Sequence, residues 1–261
     1  MRSDPVLGVI PARLGSKRLP RKPLRLLAGR PLIEWVWRRV SGFPVLDACV
    51  IATDADEIAD VCRGFGADVV MTSVTHRSGT ERVAEVARAA RWSDVRIFVN
   101  VQGDEPFVRA EHVEAAVAQV RAGRDVGTVA TAVKTHAEWR DPAVVKVVRR
   151  ADGTALYFSR APIPFHRDGE PSAAELGSFC LRHIGVYAYS RTALFRWCTL
   201  PPAALEDIER LEQLRPLAAG IAIGVAETGE AAPGVDTPDD LARAERQLQE
   251  AMAHGLSTIV E

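Results

Sequence analysis

The chain has 261 residues, 47% of them hydrophobic and 26% charged, with 33 Lys and Arg against 34 Asp and Glu. That length supports a full core in one large domain or two small ones, and the formal net charge of −1 excludes a global attraction to nucleic acid or to an anionic membrane. No run approaches the ~18 apolar residues of a membrane helix, and the opening residues are too polar for a signal peptide, so the sequence reads as cytoplasmic. Cys49, Cys62, Cys180 and Cys198 form no C-x-x-C pair and read as free thiols.

In chain order, the short β-branched run "VLGVIPA" predicts a buried strand that enters a loop. From Pro31, Leu32, Trp35, Val36 and Arg39 fall at helical spacings after a proline suited to a first turn. "DACVIATD" predicts a second strand, "ADEIADVCRGFG" a helix closed by Gly66, and "DVVMTS" a third strand. "GTERVAEVARAA" and "RIFVNVQGD" repeat the helix and strand. Such alternation predicts an α/β fold, a mostly parallel sheet flanked by helices on both faces.

After about Gly127 the pattern changes. "GTVATAVKT", "VVKVVRR", "ALYFSR" and "GVYAYS" read as strands separated by turns such as "ADGT", which predicts an inserted mixed sheet. "LEDIERLEQLRPLAA" and "PDDLARAERQLQEAMAH" are helical by period. One continuous unit with an inserted subregion at about 130–215 is the simplest description.

Ligands of an open parallel sheet bind beyond the carboxyl ends of its strands. The first such loop, "RLGSKRLPRKPL", combines Arg13, Lys17, Arg18, Arg21 and Lys22 with glycine and stiffening prolines, which suits phosphate. It matches neither a P-loop nor a dinucleotide fingerprint. In "VNVQGDEP" adjacent carboxylates point to opposite faces, so one of them, Asp104 by preference, is a candidate to hold Mg²⁺, or the stretch is an ordinary Gly-Asp turn. Asp236 in "GVDTPDDL" either opens a helix beside a Thr237 cap or supplies a second carboxylate to the same crevice. "HRSGTER" offers a Ser-Gly-Thr turn to a base or ribose, or a plain N-cap followed by an arginine on a solvated face. Arg182, His183, Tyr187, Glu212 and Gln213 are candidates for binding a polyhydroxylated acid, and a lone histidine near a strand is not made a general base.

Taken together, "IPARLGSKRLPRKPL", "HRSGTERVAEV", "VNVQGDEP", "ALYFSRAPIP", "RHIGVYAYS", "LEQLR" and "GVDTPDDL" resemble the 3-deoxy-manno-octulosonate (Kdo) cytidylyltransferase family, from about Val9 to about Glu245. The resemblance implies a single Rossmann-like nucleotidyltransferase domain over 1–261, with its inserted subregion binding sugar and forming a homodimer. It implies that Pro11, Ala12, Arg13, Lys22, Ser78, Gly79 and Thr80 bind CTP, with Arg13, Lys22 and Asp104 catalytic. By the same resemblance Asp104 and Asp236 hold Mg²⁺, and Gln102, Arg160, His183, Tyr187, Glu212 and Gln213 hold the sugar acid. The family's usual loop has Gly before its final lysine, where this chain has Arg21; Lys17, Arg18 and Arg21 are placed at the entrance.

The implied reaction moves CMP from CTP to Kdo, forming CMP-Kdo for lipopolysaccharide and releasing pyrophosphate, with no nucleic acid or membrane partner. A second reading keeps the chemistry and changes the acceptor to 8-amino-Kdo or a phosphonate. A third is a non-catalytic nucleotide-binding protein on the same fold.

Overall fold

The computed structural model describes residues 4–16 and 18–253; Lys17, assigned above to the loop entrance, and His254, at the end of the last helical reading, lie outside the described residues. The described residues form two compact units, one made of those up to 110 with those from 231 on, the other of residues 111–230.

The first unit carries a parallel sheet. Strand β1 (Val6–Ala12) pairs with β4 (Ala48–Thr53) on one side and β6 (Ile97–Asn100) on the other, and β4 pairs with β5 (Asp68–Met71). Val6 to Ile10 are all buried, as expected of a central strand covered on both faces. Between β1 and β4 come a 3-10 turn at Lys22–Leu24, a hairpin of β2 (Leu26–Leu27) and β3 (Arg30–Pro31), and helix α1 (Leu32–Ser41). The hairpin turn, Ala28-Gly29, has φ of 47° and 80°, a left-handed pair that glycine alone adopts without cost. Helices α2 (Asp56–Gly64) and α3 (Gly79–Arg88) follow β4 and β5, and Gly66 after α2 has φ 90°. Leu19, from the middle of the basic loop, packs with Leu27, Leu32, Trp35 and Val235 in one apolar cluster. The loop predicted to be stiff is thereby also anchored.

The second unit begins with α4 (Ala110–Arg121), β7 (Val126–Ala132) and α5 (His136–Arg140). Next come β8 (Lys146–Arg149), β9 (Ala155–Ser159), α6 (Ala173–Phe179), β10 (Leu181–Ser190) and α7 (Arg191–Thr199). Helices α8 (Ala204–Glu209) and α9 (Leu214–Ala218) and strand β11 (Ile223–Glu227) complete it, and the chain returns to the first unit for α10 (Pro238–Ala253). β11 runs parallel to β7, β10 runs antiparallel to β7 and β8, and β8 and β9 form a hairpin: the mixed sheet expected from the sequence. Gly127 is required where α4 crosses β7, because a Cβ there would lie 1.9 Å from Ala116 O.

One reading is corrected. "LEDIERLEQLRPLAA" is two short helices, not one, broken at Arg210, whose φ of 55° is left-handed. Pro216 gives the reason, since in a continuous helix its ring would clash one turn back, whereas in the first turn of α9 its missing N–H costs nothing. The break leaves Glu212 and Gln213 in the connection between the two helices.

Candidate active site

Beyond the carboxyl ends of β1 and β6 the first unit opens a cleft of about 380 Å³. The loops after β1, β5 and β6, the start of α3, and Asp236, two residues before α10, line it. Of the residues named from the sequence, Pro11, Arg13, Lys22, Ser78, Gly79, Gln102, Asp104 and Asp236 all reach this cleft. Ala12 does not: it is a buried strand residue. Thr80 is also buried, within the first turn of α3.

The cleft is organised around Lys22. Its Nζ donates to Asp104 Oδ2 and, at 2.9 Å, to Asp236 Oδ1, while Arg18 Nη2 lies 2.9 Å from Asp236 Oδ2. Burial pulls the Lys22 pKa down, but the charges and hydrogen bonds of Asp104 and Asp236 outweigh that and hold it above the ordinary lysine value. Val235 N donates to the backbone Asp104 O at 2.8 Å and ties the two carboxylate-bearing loops side by side. The two readings of Asp236 prove compatible. Thr237 caps α10, its Oγ1 accepting from Asp240 N at 3.2 Å while the Asp240 carboxylate accepts from Thr237 N and Oγ1, so the Asp236 side chain is left for the cleft.

Magnesium favours one or two carboxylates completed by water and substrate phosphates. Asp104 and Asp236, each bringing an oxygen to a single nitrogen, fit that donor set. Among the described residues no group of three or more metal-ligating side chains exists, so a purely protein-built cage is not offered. Glu105 turns elsewhere, its carboxylate lying 3.0 Å from where a Cβ on Gly234 would stand.

The opposite wall is the start of α3. Ser78 caps the helix by accepting from Glu81 N, and Gly79 lies so close to β1 and β6 that a Cβ would stand 3.1 Å from Pro11 Cγ and 3.3 Å from Asn100 Nδ2. Arg82, one turn on, is not on a solvated face as its bland reading had it. It is 2% exposed, donates to Thr72 Oγ1 at 2.6 Å and to Ser73 O, and forms an ion pair with Asp54. This one guanidinium joins the ends of β4 and β5 to α3 while reaching the cleft.

The remaining candidates lie in the second unit. Arg160 directs its guanidinium at backbone, donating to Glu209 O and Pro142 O at 2.9 Å each. Burial raises the Glu209 pKa, but donors from Arg160 N, Ser159 and Tyr157 bring it below the usual range. His183 Nε2 lies 2.9 Å from Thr128 Oγ1, whose own proton goes to Val186 O at 2.7 Å, so the histidine donates. Burial lowers its pKa to about 3, which makes it a neutral polar group and no base or cation at neutral pH. The Tyr187 ring lies 5.3 Å from that of His183, tilted by 54°, and the residue is 8% exposed. Its hydroxyl is buried with no hydrogen-bond partner among the described residues, and burial, with Tyr189 and Glu212 nearby, holds its pKa well above the ordinary value. Gln213 is buried at the start of α9 and Glu212 is half-buried beside it.

A family model described as Cytidylyltransferase matches residues 7–223. The 3-deoxy-manno-octulosonate cytidylyltransferase of Gemmatimonas aurantiaca is 53% identical over 92% of this chain and 93% of its own length. That of Xanthomonas campestris pv. campestris strain B100 is 49% identical over 93% and 88%. This chain belongs to the 3-deoxy-manno-octulosonate cytidylyltransferase family. A solved CMP:2-keto-3-deoxy-manno-octonic acid synthetase, complexed with CTP, superposes with a TM-score of 0.86 at 38% identity, covering 94% of this chain and 99% of that one. A 4-diphosphocytidyl-2C-methyl-D-erythritol synthase from Anaerococcus prevotii, at 16% identity and a TM-score of 0.61, shares the fold alone.

As a Kdo cytidylyltransferase family member, the chain departs from the usual loop at Arg21, and the structure shows how the departure is accommodated. Arg21 has φ 57° and ψ 33°, the left-handed conformation that suits glycine, and its side chain pairs with Glu57. The backbone that leads into Lys22 is thus left-handed at a non-glycine residue. Sequence reasoning undervalued Arg18, placed at the entrance but paired with Asp236, and Arg82. For Arg82 a signal existed: Val83, Val86 and Ala87 put its flank of α3 inside, and Asp54 stands at the end of a strand.

Proposed function

We propose that this chain transfers CMP from CTP to Kdo, releasing pyrophosphate and forming CMP-Kdo, with Mg²⁺ as cofactor. The observation that carries the reading is the convergence of Asp104 and Asp236 with Lys22, Arg18 and Arg13 in one cleft beyond the parallel strands. In the transfer, the sugar hydroxyl attacks the α-phosphorus of CTP against the repulsion of the triphosphate oxygens. Lys22, Arg13 and Arg18 offset that charge from fixed positions, and Gly79, with no side chain, admits the nucleoside closely. Mg²⁺, held by Asp104 and Asp236, supplies further charge compensation on the phosphates when bound. Tyr187, Glu212 and Gln213 are the proposed polar contacts of the sugar acid, while Arg160 holds the backbone at Glu209, just before Glu212 and Gln213. We further propose a cytoplasmic homodimer serving lipopolysaccharide synthesis.

The test is a panel of Kdo, 8-amino-Kdo and a phosphonate incubated with CTP and Mg²⁺ and read by pyrophosphate release. Kdo is expected to be consumed fastest. A preference for the phosphonate overturns the acceptor, and CTP binding with no acceptor consumed overturns the reaction.

A further inference from the structure

The contacts of Lys22 carry a consequence for how the cleft loads. The same two side chains that suit a divalent cation, Asp104 and Asp236, are engaged by one ammonium, and Arg18 takes the second oxygen of Asp236. Within this cluster two negative charges meet two positive ones, so a dication approaching these oxygens finds a neutralised pair rather than a doubly negative one. Its ligation requires Lys22 to give up oxygens it already holds. The Lys22 side chain is 15% exposed and that of Asp104 is 24% exposed, so water screens this contact only in part. The ammonium needs another anion to leave for, and a triphosphate in the same cleft is such an anion.

We infer that Lys22 is an exchangeable counter-ion of the metal carboxylates: it occupies them until the triphosphate draws it away, so that cation and nucleotide load together rather than cation first. The inference rests on the proposed function for the identity of the nucleotide and deepens it by assigning an order of loading. Because coupling between two ligands is reciprocal, the factor by which CTP tightens the cation equals the factor by which the cation tightens CTP, typically 5 to 150-fold. Lys22 thus has two duties in sequence, first on carboxylate and then on phosphate, and removing it affects the two in opposite directions.

The experiment measures free Mn²⁺ by electron paramagnetic resonance in titrations of the full chain, as wild type, Lys22→Met and Arg18→Met, each with and without CTP. Without nucleotide, Lys22→Met is expected to bind Mn²⁺ about tenfold or more tightly than wild type. Arg18→Met, which removes an exposed partner of one carboxylate, is expected to show a smaller gain in the same direction and serves alone if Lys22→Met does not fold. With CTP present, wild type is expected to gain affinity for Mn²⁺ and Lys22→Met to gain far less. Mn²⁺ affinity without nucleotide that is unchanged or weaker in the folded variants overturns the inference. The proposed function fails separately, if wild type does not bind CTP in the presence of Mn²⁺.

Discussion

Removing the carboxylate of Asp54 should destabilise the protein without touching the cleft directly. Arg82 is 2% exposed and its ion-pair partner is Asp54, while Thr72 and Ser73 supply neutral acceptors. In Asp54→Ala the guanidinium keeps those neutral acceptors and loses its counter-charge. Breaking a buried pair from one side costs about 3–5 kcal/mol, and the surviving acceptors place this case near the lower end. For a chain of this length about 3 kcal/mol corresponds to a fall in melting temperature of roughly 6–9 °C. Urea unfolding followed by circular dichroism measures the loss. The double variant Asp54→Ala/Arg82→Met, which removes both charges, should cost less than the two single variants together, because its interaction term is favourable. A loss below about 1 kcal/mol in Asp54→Ala, or costs that simply add, would refute the account of Arg82 as a buried charge balanced by Asp54.

Three further outcomes are expected. Asp104→Asn should keep the fold and reduce turnover about a hundredfold or more, measured as pyrophosphate released from CTP and Kdo, since it removes a charge proposed to act in the transition state. His183 is held neutral with a pKa of about 3 against an ordinary 6.5, so its stabilising contribution is complete above pH 6.5 and declines as pH falls towards 3. Between pH 6.5 and pH 5 this amounts to about 2 kcal/mol, and His183→Asn should flatten that part of the urea-stability profile while leaving its alkaline side unchanged. Gly127→Ala should lose at least about 3 kcal/mol in the same assay, because its Cβ meets Ala116 O at 1.9 Å and neither the helix nor the strand can yield cheaply.

The parallel strands and their helices were legible because burial on both faces writes a continuous apolar run, as in Val6 to Ile10, and because Pro31, Gly66 and Thr237 mark helix ends chemically. The break between α8 and α9 was less legible. Period alone runs through Arg210, and only Pro216 argues against continuity. In the cleft, strand alternation separates Asp104 from Glu105 without choosing between them; in the structure Asp104 lines the cleft and Glu105 turns towards Gly234. The burial of Arg82 was readable from the apolar flank of α3, but its pairing with Asp54, 28 residues away at another strand end, is a contact that no local pattern spans. The same limit applies to Arg18, whose pairing with Asp236 depends on where a remote loop returns.

The contact between Lys22 and Asp236 joins residues separated by 214 positions, and that separation makes the site a gauge of completed folding. The basic loop and Asp104 are in place once the strands of the first unit have formed, but the second carboxylate arrives only when the chain has made the whole second unit and come back. A nascent chain that has folded the parallel strands alone has the cations and one acid, and so cannot present the paired oxygens. Closing so long a loop costs conformational entropy, and the return segment is secured by Val235 in the apolar cluster and by its hydrogen bond to Asp104 O. Loosening that segment should therefore release the second carboxylate before the strands themselves come apart, so that the proposed metal binding disappears earlier than secondary structure does.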